Sequence, residues 1–442
     1  MQKLHPVDEM LPLGKLFTYG LQHVLAMYAG AVAVPLIIAN ALGLSKEQLI
    51  YLINADLFTC GIATIIQTIG FWNMGVKIPI IQGVTFAAVT PMIIIGKTHG
   101  LTGIYGSIIV AGLVTYLVSP YFSRLIRFFP PVVTGTIITI IGVTLMPVAV
   151  RWAGGGNPAA KDFASAPYIL LAFITLILVL FFYRFFTGFL SNIAVLLGLI
   201  AGTVIAGLFG MVNFSQVATA GWIGVTTPFA FGLPTFDLAS IAAMVLVMLV
   251  VMTETTGDCI AVGEIIDKPI TQQDLTRCLR ADGFSTILGG ILNSFPYTAF
   301  AQNVGLVGLT RVKSRFVVAA AGVILVVLGL FPKLAAVIAA IPVAVLGGAG
   351  IAMFGMVAAS GIKTLSRVQF DGTNNIMVVA VSMGIGMITL AVPNFYHNFP
   401  SWAQVILHSG ITAGSVAAIV LNVVLNGTEK TAEIKVDQNH YL

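Results

Sequence analysis

The hydrophobic positions of this chain fall into long, nearly uncharged runs separated by short polar stretches. A membrane-spanning helix needs about 20 consecutive apolar residues, and by that measure the sequence predicts fourteen spans. The first run holds no charge and lacks the cleavage pattern of a signal peptide, so we interpret it as a true span. The fourteen segments cover approximately residues 16–39, 49–72, 78–96, 101–122, 129–150, 167–186, 189–209, 238–262, 282–295, 297–310, 316–332, 341–362, 374–393 and 403–426.

Two of these segments, the third and the tenth, are interrupted by Gly and Pro. Residues 78–86 and 295–305 each read as a short extended stretch that continues into a helix. The fifth and twelfth segments also resemble each other, because Pro precedes Gly by five positions in both, at 130–135 and 342–347. Both matched pairs lie seven segments apart, an odd number that predicts two seven-span halves of opposite orientation. Inverted repeats with broken helices are typical of secondary transporters, although Pro and Gly are frequent in membrane helices generally.

Composition agrees with a membrane protein and excludes several other classes. Only 8% of the 442 residues are charged, against roughly 25% in soluble domains, and 58% are hydrophobic. A chain this apolar is not disordered, and its three cysteines have no spacing that predicts a disulfide scaffold, a metal site or a cofactor. The net charge of +5 does not indicate nucleic acid as a partner, because the basic residues form no dense patch. The sequence contains no HExxH, GxSxG or phosphate-binding glycine motif, which argues against an enzyme.

The distribution of basic residues predicts the orientation of the chain in the membrane. With the N-terminus inside, 16 of the 21 Lys and Arg residues fall in inner loops and tails, and the others are Lys46, Lys97, Arg151, Lys161 and Lys333. Positive charge is enriched on the cytoplasmic side, so we expect a protein of the cytoplasmic (inner) membrane with both termini in the cytoplasm. A missed or additional span would destroy this alternation, so it also supports the predicted count.

Four carboxylates lie within predicted spans or at their edge, where an ionised group costs about 3 kcal/mol to insert. They are Asp56, Glu254, Asp258 and Asp282, the last at the start of the ninth segment. Glu254 and Asp258 are four residues apart and therefore share one helix face. Glu254 is a candidate proton carrier or acceptor for a ligand N–H, with a structural helix–helix bond as the alternative. The two interpretations are equally strong for Asp258 and Asp282, and Asp56 is expected to be structural.

Two further polar motifs lie in otherwise apolar segments. Gln302 and Asn303 fall in the broken tenth segment, where amide side chains and freed backbone groups suit a flat heterocycle with N–H and C=O edges. Phe86, in the other broken segment, is placed to stack on such a ring. Gln and Asn in membrane helices often only bond neighbouring helices, which is the alternative. His23 in the first span is interpreted as a supporting residue for Asp282 or for the substrate site.

The tenth segment also carries a recognisable motif. Residues 302–311, Gln-Asn-Val-Gly-Leu-Val-Gly-Leu-Thr-Arg, resemble the signature of the nucleobase–ascorbate transporters, or nucleobase:cation symporter-2 family, Gln/Glu/Pro-Asn-x-Gly-x4-Thr-Arg/Lys/Gly. The similarity covers nearly the whole chain and is greatest to bacterial xanthine and uric acid permeases. The other matching positions are Gln22-His23, Phe129-Pro130-Pro131, Glu254, Asp258, Ala281-Asp282-Gly283 and residues 341–348.

The resemblance implies an all-α polytopic fold with a core domain and a gate domain. Spans one to four (residues 1–122) and eight to eleven (238–335) would form the core. Spans five to seven (123–237) and twelve to fourteen (336–442, including a cytoplasmic tail) would form the gate, which in the family also mediates homodimerisation. Substrate would bind between short β-strands of spans three and ten, and the core would move through the bilayer like an elevator.

The resemblance also implies roles for individual residues. Glu254 would bond the N–H edge of a purine and take part in proton coupling, while Gln302 would bond the opposite edge and Phe86 would stack on the ring. The other implied positions are Thr85 and Ala301 at the substrate, Asn303 and Asp282 in the transport cycle, and Asp258 and His23 as supporting polar residues.

Two positions refine the expected substrate. Uracil permeases carry Glu where this chain has Gln302, which favours a purine with two carbonyl groups over uracil. Thr85 is small where xanthine-selective relatives tend to carry Asn, and the additional space suits the 8-oxo group of uric acid. We therefore expect proton-coupled uptake of uric acid, with xanthine as a second or shared substrate. A permease for uracil or another nucleobase and an uncoupled purine facilitator are the alternatives, and a sulfate-type anion transporter of similar architecture is disfavoured by Glu254.

Overall fold

The structure is a computed structural model that describes residues 5–371 and 373–427. The predicted cytoplasmic tail beyond residue 427 therefore lies outside the described residues. The described chain is mostly helical, as a chain in lipid must satisfy its backbone groups internally. In the first half the elements are α1 (Leu13–Leu42), α2 (Lys46–Ile69), β1 (Gln82–Val84), α3 (Val89–Val118), α4 (Phe122–Leu125), α5 (Pro131–Ala153), α6 (Ala166–Phe185), α7 (Phe189–Asn192), α8 (Ala194–Leu208) and α9 (Ser215–Thr219). In the second half they are α10 (Leu238–Ile265), α11 (Gln272–Ile291), β2 (Tyr297–Ala299), α12 (Ala301–Thr310), α13 (Arg315–Leu328), α14 (Pro332–Ala339), α15 (Val343–Leu365), α16 (Asn375–Ala391), α17 (Ser401–Leu407) and α18 (Gly410–Asn426).

Several of these helices are long and apolar enough to cross a membrane. Among the described residues there are seven, namely α1, α2, α5, α6, α10, α15 and the 36-residue run Phe86–Tyr121 that contains α3. An eighth is formed if α13 and α14, which meet at an angle of 83°, are counted as one bent span, and α8, α16 and α18 are shorter apolar helices. The chain is thus a multi-pass membrane protein, while the count of fourteen spans stays a prediction.

The structure corrects one of the predicted segments and agrees with the boundary between two others. The third and fourth segments follow each other in α3 and meet at a break at Gly100, where φ is 70° and ψ is −172°, in the predicted gap between residues 96 and 101. The ninth helix begins at Gln272 rather than at residue 282, because its charged first half, with Arg277 and Arg280, does not read as an apolar segment. Asp282 consequently lies in the middle of α11 and not at its start.

Helix packing follows a pattern in which contacts of the first half have counterparts in the second. The contact of α2 with α13 corresponds to that of α11 with α3. The contact of α1 with α13 likewise corresponds to that of α10 with α3, and α5 and α15 pack on each other. Facing glycines mark two of these crossings: a Cβ added to Gly61 would lie 2.5 Å from the carbonyl oxygen of Gly322, and one added to Gly112 would lie 2.7 Å from that of Gly283. Such close approach of backbones is the usual basis of helix association in lipid.

The two strands form a small sheet in the interior of the molecule. β1 and β2 pair in antiparallel register, with Gly83 opposite Thr298, and all six of their residues are buried. Side chains of neighbouring helices complete the backbone hydrogen bonding: Gln82 N donates to Thr64 Oγ1 at 3.1 Å, and Ala299 N donates to Thr255 Oγ1 at 3.2 Å. Each strand leads almost directly into a helix, so the antiparallel pair directs the starts of two helices to one place.

Asp56 has the structural environment that the sequence analysis expected. Its side chain is 1% exposed on α2, and its Oδ1 accepts hydrogen bonds from Ser294 Oγ at 3.1 Å and Tyr297 Oη at 3.0 Å. Tyr297 is the first residue of β2. The buried carboxylate therefore fixes the end of the strand to α2, where its cost of burial is offset by two donors.

Candidate functional site

The accessible parts of α10 and α12 carry the polar residues singled out in the sequence. Glu254 and Asp258 lie one turn apart on α10 and are half-buried, and a Cβ added to Gly257 between them would meet nothing within 4 Å. On α12, which packs against α10, Ala301 and Gln302 are exposed. Half-buried and exposed positions of two neighbouring helices therefore carry a carboxylate pair and an amide side chain.

Thr85 and Phe86 lie at the turn that follows β1. Thr85 is 1% exposed, and its Oγ1 accepts a hydrogen bond from Ala87 N at 3.1 Å, which caps the short 3₁₀ turn Phe86–Ala88. The ring of half-buried Phe86 packs edge-on against Phe354 of α15, with centroids 5.8 Å apart and planes at 77°. Phe86 thus lies where the predicted core meets α15 of the predicted gate.

Phe300 is a member of this region that the sequence analysis missed. The side chain precedes α12, is 4% exposed, and fills the space above two glycines. A Cβ on Gly83 of β1 would lie 2.3 Å from its ring, and a Cβ on Gly30 of α1 would lie 2.9 Å from it. The sequence contained one indication of this role. Gly83 and Gly30 have no side chain, and such positions allow an aromatic ring to approach the backbone closely.

His23 contacts Asn303, which is next to Gln302 in the chain. His23 lies within α1 at 2% exposure, and of the two supporting roles considered, for Asp282 or for the substrate site, this contact favours the second. Asn303 Nδ2 donates to the backbone oxygen of His23 at 2.9 Å and lies 3.1 Å from its Nδ1. With the amide as donor, Nδ1 accepts and the proton of the neutral ring is on Nε2. The pair ties α1 to the first turn of α12.

Asp282 lies deeper than the other carboxylates. It is fully buried on α11, where its Oδ1 accepts a hydrogen bond from Gln67 Nε2 at 3.3 Å, and the side chains of Thr255 and Gln82 lie next to it. Asp258 is close enough to interact electrostatically with both Glu254 and Asp282. The three carboxylates therefore form a series from the accessible part of α10 to the interior. Within the described ranges, no group of three or more His, Cys, Asp or Glu side chains is arranged to hold a metal ion.

The His23–Asn303 contact predicts a measurable coupling. His23→Leu should lower the free energy of unfolding by about 1 kcal/mol, because one hydrogen bond of a buried amide is lost. Asn303→Ala should cost a similar amount, and the double variant should cost less than the sum of the two. Thermal unfolding of the purified protein measures this, with the exposed His397→Leu as control. Fully additive losses would contradict the contact.

Comparison with known proteins identifies the family. A family model for xanthine and uric acid permeases, described as "Permease family", matches residues 14–395. The uric acid transporter UacT of Escherichia coli (strain K12) is 47% identical over 97% of this chain and 89% of its own length. The xanthine permease of Bacillus subtilis (strain 168) is also 47% identical, over 96% of both chains.

A solved structure shows the same fold at low identity. The transmembrane domain of a cyanobacterial bicarbonate transporter, BicA, superposes with a TM-score of 0.64 over 93% of this chain and 100% of that chain, at 17% identity. This likeness concerns the fold alone. The sequence relationships carry the assignment: the chain belongs to the nucleobase–ascorbate transporter family, in its xanthine and uric acid permease branch, and is a permease rather than an enzyme.

Proposed function

We propose that this protein takes up uric acid, with xanthine as a second or shared substrate, together with protons across the cytoplasmic membrane. The observation that carries the proposal is that Glu254 and Gln302 lie on α10 and α12, two helices in contact, and that α10 also contacts the turn with Phe86. The relatives named as a uric acid transporter and a xanthine permease, each 47% identical, support an oxidised purine as the substrate.

The chemistry of these side chains suits a flat purine. The Glu254 carboxylate accepts hydrogen bonds from ring N–H groups, and the Gln302 amide offers both a donor and an acceptor to the opposite edge. Phe86 supplies an aromatic face for the ring. Thr85 and Ala301 are small side chains next to Phe86 and Gln302 in the chain, and they leave room for the carbonyl groups of the substrate.

The same carboxylates provide a basis for proton coupling. A proton on Glu254 removes one negative charge beside Asp258, which itself interacts with buried Asp282. Substrate binding and proton binding at Glu254 thereby change the electrostatic environment of the interior. Asn303 would transmit the change to α1 through its bond to His23. Asp282, Asn303, Asp258 and His23 are accordingly assigned to the transport cycle rather than to substrate contact.

The proposed architecture has fourteen spans in two inverted halves, with a core that moves against a gate. The matched helix contacts, the broken α3 at Gly100 and the pairing of β1 with β2 support this arrangement. We also propose a homodimer through the gate, as the resemblance to the family implies. We place both termini in the cytoplasm, as the basic residues predict.

Uptake measurements in cells that lack their own carriers test the function. Labelled uric acid, xanthine and uracil are offered separately, with and without a protonophore. We expect accumulation of uric acid and xanthine but not of uracil, and its collapse when the proton gradient is removed. Preferential uptake of uracil would contradict the proposed substrate. Equilibration that is insensitive to the protonophore would instead indicate an uncoupled facilitator.

Thr85→Asn is expected to shift preference from uric acid towards xanthine. Asn is a good capping residue and should preserve the bond that Thr85 makes to Ala87 N, so the change acts mainly through volume. A difference in contact of one or two atoms corresponds to a change of about 10-fold in the ratio of the two uptake rates. Thr85→Ser, which keeps the cap and adds no volume, is the control. An unchanged ratio in Thr85→Asn would show that residue 85 does not set specificity.

A further inference from the structure

A pocket lined by several basic residues lies at the start of α1 and the end of α12, about two helical turns along α1 from the His23–Asn303 contact. Its volume is about 230 Å³, and it is enclosed by the N-terminal segment before α1, the first turns of α1 and the turn that follows α12. Lys15 and Tyr19 line it from α1, and Arg311 and Lys313 line it from the turn. The N-terminal segment is held in place, because Ser314 Oγ donates to the backbone oxygen of Glu9 at 2.6 Å.

The cations of this region differ in whether they are neutralised. Lys313 pairs with Asp267, and Arg315, behind the pocket, pairs with Asp8 at 2.7 Å. Within the described part of the chain, Lys15 and Arg311 form no ion pair. Their side chains are exposed at the pocket, where the one acidic lining residue is Glu9.

The start of α1 adds to the positive character of the pocket. Pro12, which precedes the helix, makes no side-chain capping bond, so the first N–H groups of a 30-residue helix have no side-chain acceptor at Pro12. The positive end of the helix dipole therefore lies beside Lys15. Together these groups favour a ligand with negative charge and several acceptor oxygens, such as a phosphate.

The position of the pocket on α1 decides between a free anion and a lipid. The pocket opens on the first turns of a helix that is long and apolar enough to span the membrane, and Leu13 (84% exposed) and Phe17 (58% exposed) lie on another face of the same turns. Met10, in the segment before the helix, is 64% exposed. A phosphate with acyl chains would occupy the pocket with its headgroup and cover these side chains with its hydrocarbon. A free phosphate would leave them uncovered.

We propose that this pocket binds the phosphate headgroup of an anionic phospholipid from the leaflet on the N-terminal side, held by Lys15 and Arg311. Lys15, Tyr19 and His23 follow one another at four-residue intervals and so lie on one face of α1, about 12 Å from end to end. Arg311 likewise follows the last turn of α12, whose first turn contains Gln302 and Asn303. The lipid therefore links the start of α1 to the end of α12, while the His23–Asn303 bond links α1 to the first turn of α12.

Lipid retention by the purified full-length protein tests the proposal independently of transport. The protein is reconstituted in phosphatidylcholine nanodiscs with or without phosphatidylglycerol, and bound lipid is measured by native mass spectrometry after transfer to detergent. We expect wild-type protein to retain phosphatidylglycerol and to melt at a higher temperature in its presence. Lys15→Gln/Arg311→Gln should weaken retention about 30-fold, since each basic residue near a membrane surface contributes a comparable part of the attraction to anionic lipid.

Three controls separate the pocket from general effects of charge. Lys363→Gln removes an exposed cation from the last turn of α15 and should leave retention unchanged. Lys15→Arg/Arg311→Lys keeps both charges and should retain the lipid, which shows that a loss in the Gln variant is not a folding defect. Inorganic phosphate is titrated against lipid-free protein. Equal retention in the Gln variant would overturn the proposal, and so would stabilisation by inorganic phosphate equal to that by phosphatidylglycerol.

Discussion

Cells that carry Glu254→Gln are expected to lose accumulation of labelled uric acid and xanthine by about 100-fold, the scale of a lost hydrogen bond to a charged group in a site. Gln has the size of Glu but cannot carry a proton, and its NH₂ group presents donors where the purine N–H edge needs an acceptor. Both proposed tasks of Glu254, purine binding and proton coupling, should therefore fail together. Uptake with and without a protonophore measures the loss, and binding to the purified variant measures the first task separately.

Glu264→Gln is the matched control for this experiment. Glu264 lies on the same helix, α10, but is exposed near its end, so its replacement should leave uptake unchanged. Surface amounts of both variants must equal those of the wild type. Normal accumulation by Glu254→Gln would remove Glu254 from the mechanism. Loss of accumulation with undiminished purine binding would restrict its role to the proton.

Gly83→Ala is expected to disrupt the site from within. The added Cβ would lie 2.3 Å from the ring of Phe300, and the ring has little room to retreat because Gly30 faces it closely as well. Overpacking of this kind costs about 1–3 kcal/mol. Because Phe300 is followed directly by α12, we expect the displacement to move Gln302 and to reduce purine uptake at least about tenfold, since small misplacements in a site have large effects on rate.

Two further variants make this prediction specific. Gly355→Ala on α15 adds a Cβ that meets nothing within 4 Å, so it should melt and transport as the wild type does. Gly83→Ala/Phe300→Leu should recover part of the lost stability, because a smaller side chain relieves the overlap. Wild-type melting of Gly83→Ala would show that the contact between Phe300 and β1 is not as tight as described.

The parts of the site that depend on spacing along one helix were predictable from sequence. Glu254 and Asp258 share a helix because a four-residue gap places two residues on one face, whatever else the chain does. The match of residues 302–311 to the family signature and the family itself were likewise predictable, and the family is confirmed by the relatives at 47% identity. Those inferences need only local geometry or similarity along the chain.

Contacts between helices were not predictable in the same way. His23 was expected to support either Asp282 or the substrate site, and only the structure shows that its partner is Asn303, which lies in the other half of the chain. Phe300 gave no signal of its own, because its role depends on two glycines in distant segments. The sequence analysis also placed the start of α11 wrongly, because the first turns of this helix are charged and a search for apolar segments does not detect them. Each case depends on which helices become neighbours, and hydrophobic periodicity does not specify that.

The small sheet has a consequence for the order in which the protein is built. β1 and β2 lie in different halves of the chain, and within residues 5–371 and 373–427 each has only the other as its strand partner. An unpaired strand in lipid leaves its backbone groups without hydrogen bonds, which costs several kcal/mol for each group. During synthesis, the interior of the first half therefore stays incomplete until the second half has been inserted. The proposed substrate site, which lies beside this sheet, would be complete only once nearly the whole chain has been made.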